Sequence, residues 1–132
     1  MISKLHHVQI TIPTSAEEQA REFYCGVLGL TEMAKPMPLS LRGGFWLQLG
    51  EQQVHVGLED NIDRASSRTH VAYEVSDLEV WRERLALKGV SIIDGQQFPG
   101  YRRFEFRDPF GNRIELLKRQ PDEGGGSGLL SD

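Results

Sequence analysis

The chain has 132 residues, 39% hydrophobic and 26% charged, the make-up of one globular domain able to bury a core without staples. Its net charge of −4 argues against nucleic acid as the main partner, because neutralising phosphates requires a clustered cationic surface. No apolar run nears the roughly 18 to 20 residues that span a bilayer. No signal-peptide core precedes the first strand, and a lone cysteine permits no internal disulfide, so a cytoplasmic protein is expected.

The first predicted element is a strand over 5–12, in which Val8, Ile10 and Ile12 alternate with His7, Gln9 and Thr11. A helix over about 16–28 follows, with Ser15 and Glu18 offering a capping box and Gly29 a stop. Ala20, Phe23, Tyr24, Val27 and Leu28 form its apolar stripe, and Cys25 reads as a small packed hydrophobe within it. Short strands are predicted near 31–34, 44–49 and 53–58, the first two separated by a loop carrying Pro36, Pro38 and Gly43-Gly44.

The second half repeats this grammar. A strand at 69–75 meets a second capping box, Ser76-Asp-Leu-Glu79, and a helix to about Lys88 with Leu78, Trp81 and Leu85 on its buried side. Strands near 90–93, 101–107 and 113–118 complete the unit. The turn Asp108-Pro-Phe-Gly-Asn112 delivers the last of them in register, Pro109 fixing one dihedral and Gly111 supplying a positive one. From Pro121 to Asp132 the glycine-rich sequence reads as a flexible tail.

Within these strands, His7, His55, His70 and Glu115 each belong to the set alternating with the strongly apolar residues. From His7 to His70 is 63 positions and from His55 to Glu115 is 60, so the four are the same two places in a module used twice. They are the candidate metal ligands. His6 shares the apolar set of Val8 and is expected to be packed or at an edge. Gln9, Thr11, Glu74, Tyr101, Arg103 and Glu105 are candidate lining for a substrate pocket. Trp46, Phe45 and Phe104 are aromatic strand residues whose default place is the core.

Three segments carry a family resemblance: the opening His7-Val-x-Ile10, the helix Arg21-Glu-Phe-Tyr-Cys-Gly-Val-Leu-Gly-Leu30, and the closing Phe106-Arg-Asp-Pro-Phe-Gly-Asn-Arg-Ile-Glu-Leu116. In this order and spacing, residues 5–118 resemble the vicinal oxygen chelate superfamily, which includes glyoxalase I, fosfomycin resistance proteins, extradiol dioxygenases and bleomycin-binding proteins. The resemblance implies an α+β fold of two βαβββ modules, about 5–59 and 69–118, forming a cup-shaped partial barrel around a divalent metal. It would make residues 1–119 one glyoxalase-like domain followed by the tail. By motif, the ligands would be His7, His55, His70 and Glu115, and Glu115 would also move a proton. Such a set suits Ni, Mn, Co, Fe or Zn and leaves open positions for a chelating small-molecule substrate. A homodimer, sometimes with modules exchanged between chains, is also implied.

Departures from the family's motifs narrow the reaction. Extradiol dioxygenases carry a histidine and then a tyrosine before the Asp-Pro-x-Gly turn; here no histidine lies in 97–104, and Glu105 stands at the tyrosine position. Thr11 replaces the arginine that in glyoxalase I holds a glutathione carboxylate, and His55 replaces one of its carboxylate ligands. Gln9 stands where fosfomycin-type thiol transfer uses a threonine. The expectation is a metal-dependent lyase or isomerase acting on vicinal oxygens. A metal-free binding protein of the bleomycin-resistance type and a non-extradiol Fe(II) dioxygenase using a His/His/Glu triad remain the alternatives.

Overall fold

The structure is a computed structural model that describes residues 1–121; the predicted tail beyond them lies outside the described residues. The chain divides into two compact units, Met1–Arg64 and the part from Ala65 onward. Among the described residues, no helix is long and apolar enough to cross a membrane.

The first unit runs β1 (His7–Ile12), α1 (Glu17–Arg21) continuing into a wider π-type segment (Glu22–Val27), β2 (Thr31–Met33), β3 (Phe45–Leu49) and β4 (Gln52–Leu58). Its open sheet has the order β1-β4-β3-β2, with β1 parallel to β4 and the other pairs antiparallel. Register puts Ile12, Phe45, Leu47, Val54 and Val56 on one face, where all are buried. Ala20, Phe23, Tyr24 and Leu28, the buried residues of the helical segment, complete this core.

The second unit runs β5 (His70–Glu74), α2 (Leu78–Leu87), β6 (Tyr101–Arg107) and β7 (Arg113–Arg119), in sheet order β5-β7-β6. Here β5 is parallel to β7 and β6 antiparallel to it, which repeats the β1-β4-β3 pattern. Tyr73, Phe104, Phe106, Ile114 and Leu116 are buried on one face, and Leu78 and Leu85 are the buried residues of α2. The α+β class and the repeat expected from sequence are both present.

Three local expectations are corrected. Ser15 caps nothing: Ala16 is the N-cap of α1 without a side-chain bond, and Glu18 instead pairs with Arg21 at 2.6 Å. At α2 the cap is Asp77, not Ser76, with its carboxylate accepting from Val80 N at 3.1 Å. The strand expected near 90–93 shrinks to a single bridge between Ile93 and Glu105. Beyond that bridge, the Gln97 side chain accepts from Arg103 N and donates to Arg103 O, both at 3.1 Å. A side-chain amide thus occupies the β6 backbone groups that a longer neighbouring strand would use.

The closing turn has an anchor that Pro109 and Gly111 do not explain. Buried Asp108 accepts from Phe110 N, Asn112 N and the Asn112 side chain at 2.8–2.9 Å. Gly111 does take a positive φ of 104°.

Candidate metal centre

Each sheet has a second face, and the candidate ligands stand on it. In the first unit this face carries His7, Gln9 and Thr11 of β1, Trp46 of β3, and Gln53, His55 and Gly57 of β4. In the second it carries His70, Ala72 and Glu74, then Arg113 and Glu115, then Tyr101, Arg103 and Glu105. The two candidate pairs are built alike. His7 is paired with Gln53, two residues before His55; His70 is paired with Arg113, two residues before Glu115.

In the second unit, His70 Nε2 lies 3.2 Å from Glu115 Oε1. His70 Nδ1 is 3.0 Å from the Arg68 carbonyl oxygen, which can only accept, so Nδ1 carries the proton. In the neutral ring the Nε2 lone pair then faces a carboxylate oxygen. The contact is satisfied by a proton on Nε2, as in an ion pair, or by a divalent ion between the two groups; two ligands at right angles on an ion at about 2.1 Å would stand about 3 Å apart. The donor set and its spacing fit a divalent metal. The backbone carbonyl that fixes the imidazole tautomer is the usual outer support of such a ligand.

Glu115 is buried, and its other oxygen, Oε2, accepts from Arg103 Nε at 2.7 Å. Arg103 also donates to Gln96 O at 2.7 Å and to Glu105 Oε2. Arg113 closes the chain on Glu105 with bonds of 2.7 and 2.5 Å. The Glu115 contact, followed by the Glu105 contact, raises the Arg103 guanidinium's pKa despite burial. Arg113, then Arg103, holds the Glu105 carboxyl below its ordinary value against the opposing effect of burial. Arg103 and Glu105 therefore lie within an ion-pair network behind Glu115.

In the first unit, His55 is buried between two rings. Trp46 stacks on it with centroids 3.8 Å apart and His7 with centroids 4.1 Å apart. Its Nε2 lies 2.8 Å from Gln53 Oε1 and donates to it, which leaves the lone pair on Nδ1. Burial, then the neighbouring His7, His6 and Lys35, push its pKa down to about 4. A neutral imidazole oriented by a second-layer amide is suited to bind metal. His6 is exposed, with its Nδ1 3.0 Å from His7 Nδ1, so it is an edge residue and not a packed one. Among the described residues, no group of three or more His, Cys, Asp or Glu side chains could hold a metal ion.

The remaining candidates separate. Gln9 lines a cavity of about 570 Å³ with His7, His55, Trp46, Lys35 and Arg42. The Thr11 hydroxyl accepts from Arg64 at 3.1 and 3.3 Å. Glu74 is exposed and pairs with Arg119 at 3.8 Å. Tyr101 is four residues along β6 from Glu105, about 13 Å at strand rise. It lines a cavity of about 350 Å³ in the second unit together with Arg82, Arg102 and Arg103. Phe45 and Phe104 are core, whereas Trp46 is on the site face. Sequence reasoning passed over Gln53, Lys35 and Arg42; the period-two pattern already puts Gln53 on the face of His55.

A repeated α+β unit with a histidine on its first strand and a second metal-competent side chain on its parallel partner defines the class. The chain belongs to the Glyoxalase/Bleomycin resistance protein/Dioxygenase superfamily, whose family model matches residues 4–116. It is similar to a solved glyoxalase family protein from Bacillus anthracis, with 38% identity over 91% of this chain and 98% of that one, and a TM-score of 0.84. The fold is shared with a glyoxalase/dioxygenase from Nostoc punctiforme, at 20% identity over 89% and 92% of the two chains and a TM-score of 0.73. It is also shared with the fosfomycin resistance protein FosX from Listeria monocytogenes, solved with Mn(II) and a sulfate ion, at 17% identity over 91% and 93% and a TM-score of 0.71. No curated protein matches the chain in sequence.

Proposed function

We propose that this chain is a metal-dependent enzyme of the glyoxalase type, a lyase or isomerase acting on a small substrate with vicinal oxygens. Its protein ligands are His70 and Glu115, with His7 and His55 as the equivalent pair named by the repeat. One observation carries the reading: His70 Nε2 faces Glu115 Oε1 at 3.2 Å while each group's other polar atom is held by the protein.

When bound, a divalent ion supplies Lewis-acid polarisation of the substrate oxygens. The chain's own residues do the rest. Arg103 holds Glu115 Oε2 and turns Oε1 toward the site, where it stands to accept and return a proton from the substrate carbon or hydroxyl. Gln53 orients His55, and the stacked rings of Trp46 and His7 shield its faces from water.

The stack also favours a second reading. If His55 serves as wall and not as ligand, the alternative is a non-extradiol Fe(II) dioxygenase with a two-histidine, one-carboxylate set. A homodimer, as is common in the family, belongs to either version and is checked by light scattering on the eluting protein.

The test is metal analysis after reconstitution with Ni, Mn, Co, Fe or Zn, followed by oxygen-uptake measurement with ferrous iron. Stoichiometric binding of one ion per site, lost in Glu115→Gln, is expected. No stoichiometric binding of any of the five removes the enzyme reading and returns the chain to a metal-free binding protein.

A further inference from the structure

The first-unit cavity has a charge pattern that the ligand assignment does not use. At about 570 Å³ it falls in the size range of small-molecule sites. Lys35 and Arg42 line it, and no carboxylate does. Neither cation has a carboxylate partner among the described residues. Lys35 Nζ donates to the carbonyls of Arg42 and Gly43 at 2.8 and 3.0 Å, using two of its three protons, and the exposed Arg42 guanidinium makes no bond there. The same loop is tied down at its far end, where Gly44 N donates to Glu17 Oε1 at 2.7 Å.

The second-unit cavity provides the contrast. Its three arginines are matched: Arg82 with Asp94, Arg102 with Glu79, and Arg103 with Glu115 and Glu105. Cationic lining there is internally neutralised. In the first unit it is not, and an unmatched lysine and arginine on an anchored loop form a site for a negative ligand. Leu39, Trp46 and Leu58 give the same cavity an apolar wall.

We propose that Lys35 and Arg42 form an oxyanion subsite that fixes the anionic end of the substrate, whose apolar body lies along Trp46 and Leu39. The substrate class is therefore a small, partly apolar oxyanion, a phosphate-type or carboxylate group being the shared chemistry. This rests on the metal reading of His7 and His55 only for where the substrate's other end points.

The test uses the full chain stripped of metal, at constant ionic strength. Amide and indole nitrogen–proton spectra are followed during titration with inorganic phosphate in one arm and acetate in the other. Saturable shifts are expected at the amides of Arg42 and Gly43 and at the Trp46 indole, with the tighter arm naming the type of anion. Arg42→Gln should weaken binding about tenfold, and Arg42→Lys should restore most of it. The Arg42 guanidinium makes no bond among the described residues, so an unchanged spectrum elsewhere shows that the variant is folded. Absence of saturable shifts in both arms, or equal affinity in wild type and Arg42→Gln, overturns the subsite. Because no metal is present, failure of the metal reading leaves a positive result standing, and a negative result leaves the metal reading untouched.

Discussion

Arg103 donates through Nε to Glu115 Oε2 at 2.7 Å, with both side chains 8% exposed. The contact makes one oxygen of the carboxylate structural and leaves the other for chemistry. It also couples the stability of the second unit to its metal-binding ability.

Arg103→Met should therefore do two things at once. Leaving Glu115 and Glu105 without their shared cation should cost about 3 kcal/mol in urea unfolding. Affinity for the reconstituting metal should fall about tenfold or more by competition with a chromophoric chelator, as expected when a ligand's outer partner is lost. Arg103→Lys should recover less than half of either effect, since an ammonium cannot reach all three acceptors in one plane.

Replacing His70 by alanine should abolish stoichiometric metal binding with little change in fold. The ring is about one-third exposed and contributes no core packing. The measurement is metal content after gel filtration, with circular dichroism as the check on structure. Retained binding at full stoichiometry would remove His70 from the ligand set.

Buried His55 gives the metal-free protein a defined acid response. Its pKa in the fold is about 4, below the ordinary 6.5, so between those values the unfolded chain takes up a proton that the folded chain does not. Stability from this residue is full above 6.5 and is lost as the pH falls toward 4, by on the order of 3 kcal/mol. Below that, both states are protonated and the loss stops. Glu105 contributes in the same direction at lower pH, so the diagnostic quantity is the wild type minus His55→Gln difference in urea midpoints. A flat difference from neutral pH to 4 would contradict the buried neutral imidazole.

The two helix starts should respond differently to the same substitution. Asp77→Ala removes a real cap and should cost about 1 kcal/mol, while Ser15→Ala should fall within experimental error. Thermal melts of the two variants provide the comparison.

Much of the fold is legible in sequence because both sheets are polar on one face and apolar on the other. That alternation alone sorts His7, His55, His70 and Glu115 from Val8, Val54, Val71 and Ile114, and the near-equal spacings disclose the repeat. Choices between neighbouring polar residues are not legible. Ser76 and Asp77 are equally good caps by type, and it is Asp77 that takes the extended N-cap conformation and accepts from Val80 N. Arg103 and Glu105 have the sequence appearance of pocket residues, but the ion-pair network that ties them to Glu115 depends on contacts across strands and is not legible there. Lys35 and Arg42 sit in a loop without periodicity, where pattern says nothing about direction.

Gln97 has a consequence of another kind. An open sheet edge is a template on which a foreign strand can lay itself, and the short bridge at Ile93 leaves part of β6 in that condition. By engaging both backbone groups of Arg103, one glutamine withdraws them from any intruder. The shortened strand thus keeps these two groups closed to a foreign strand, and Gln97→Ala should reopen them to self-association.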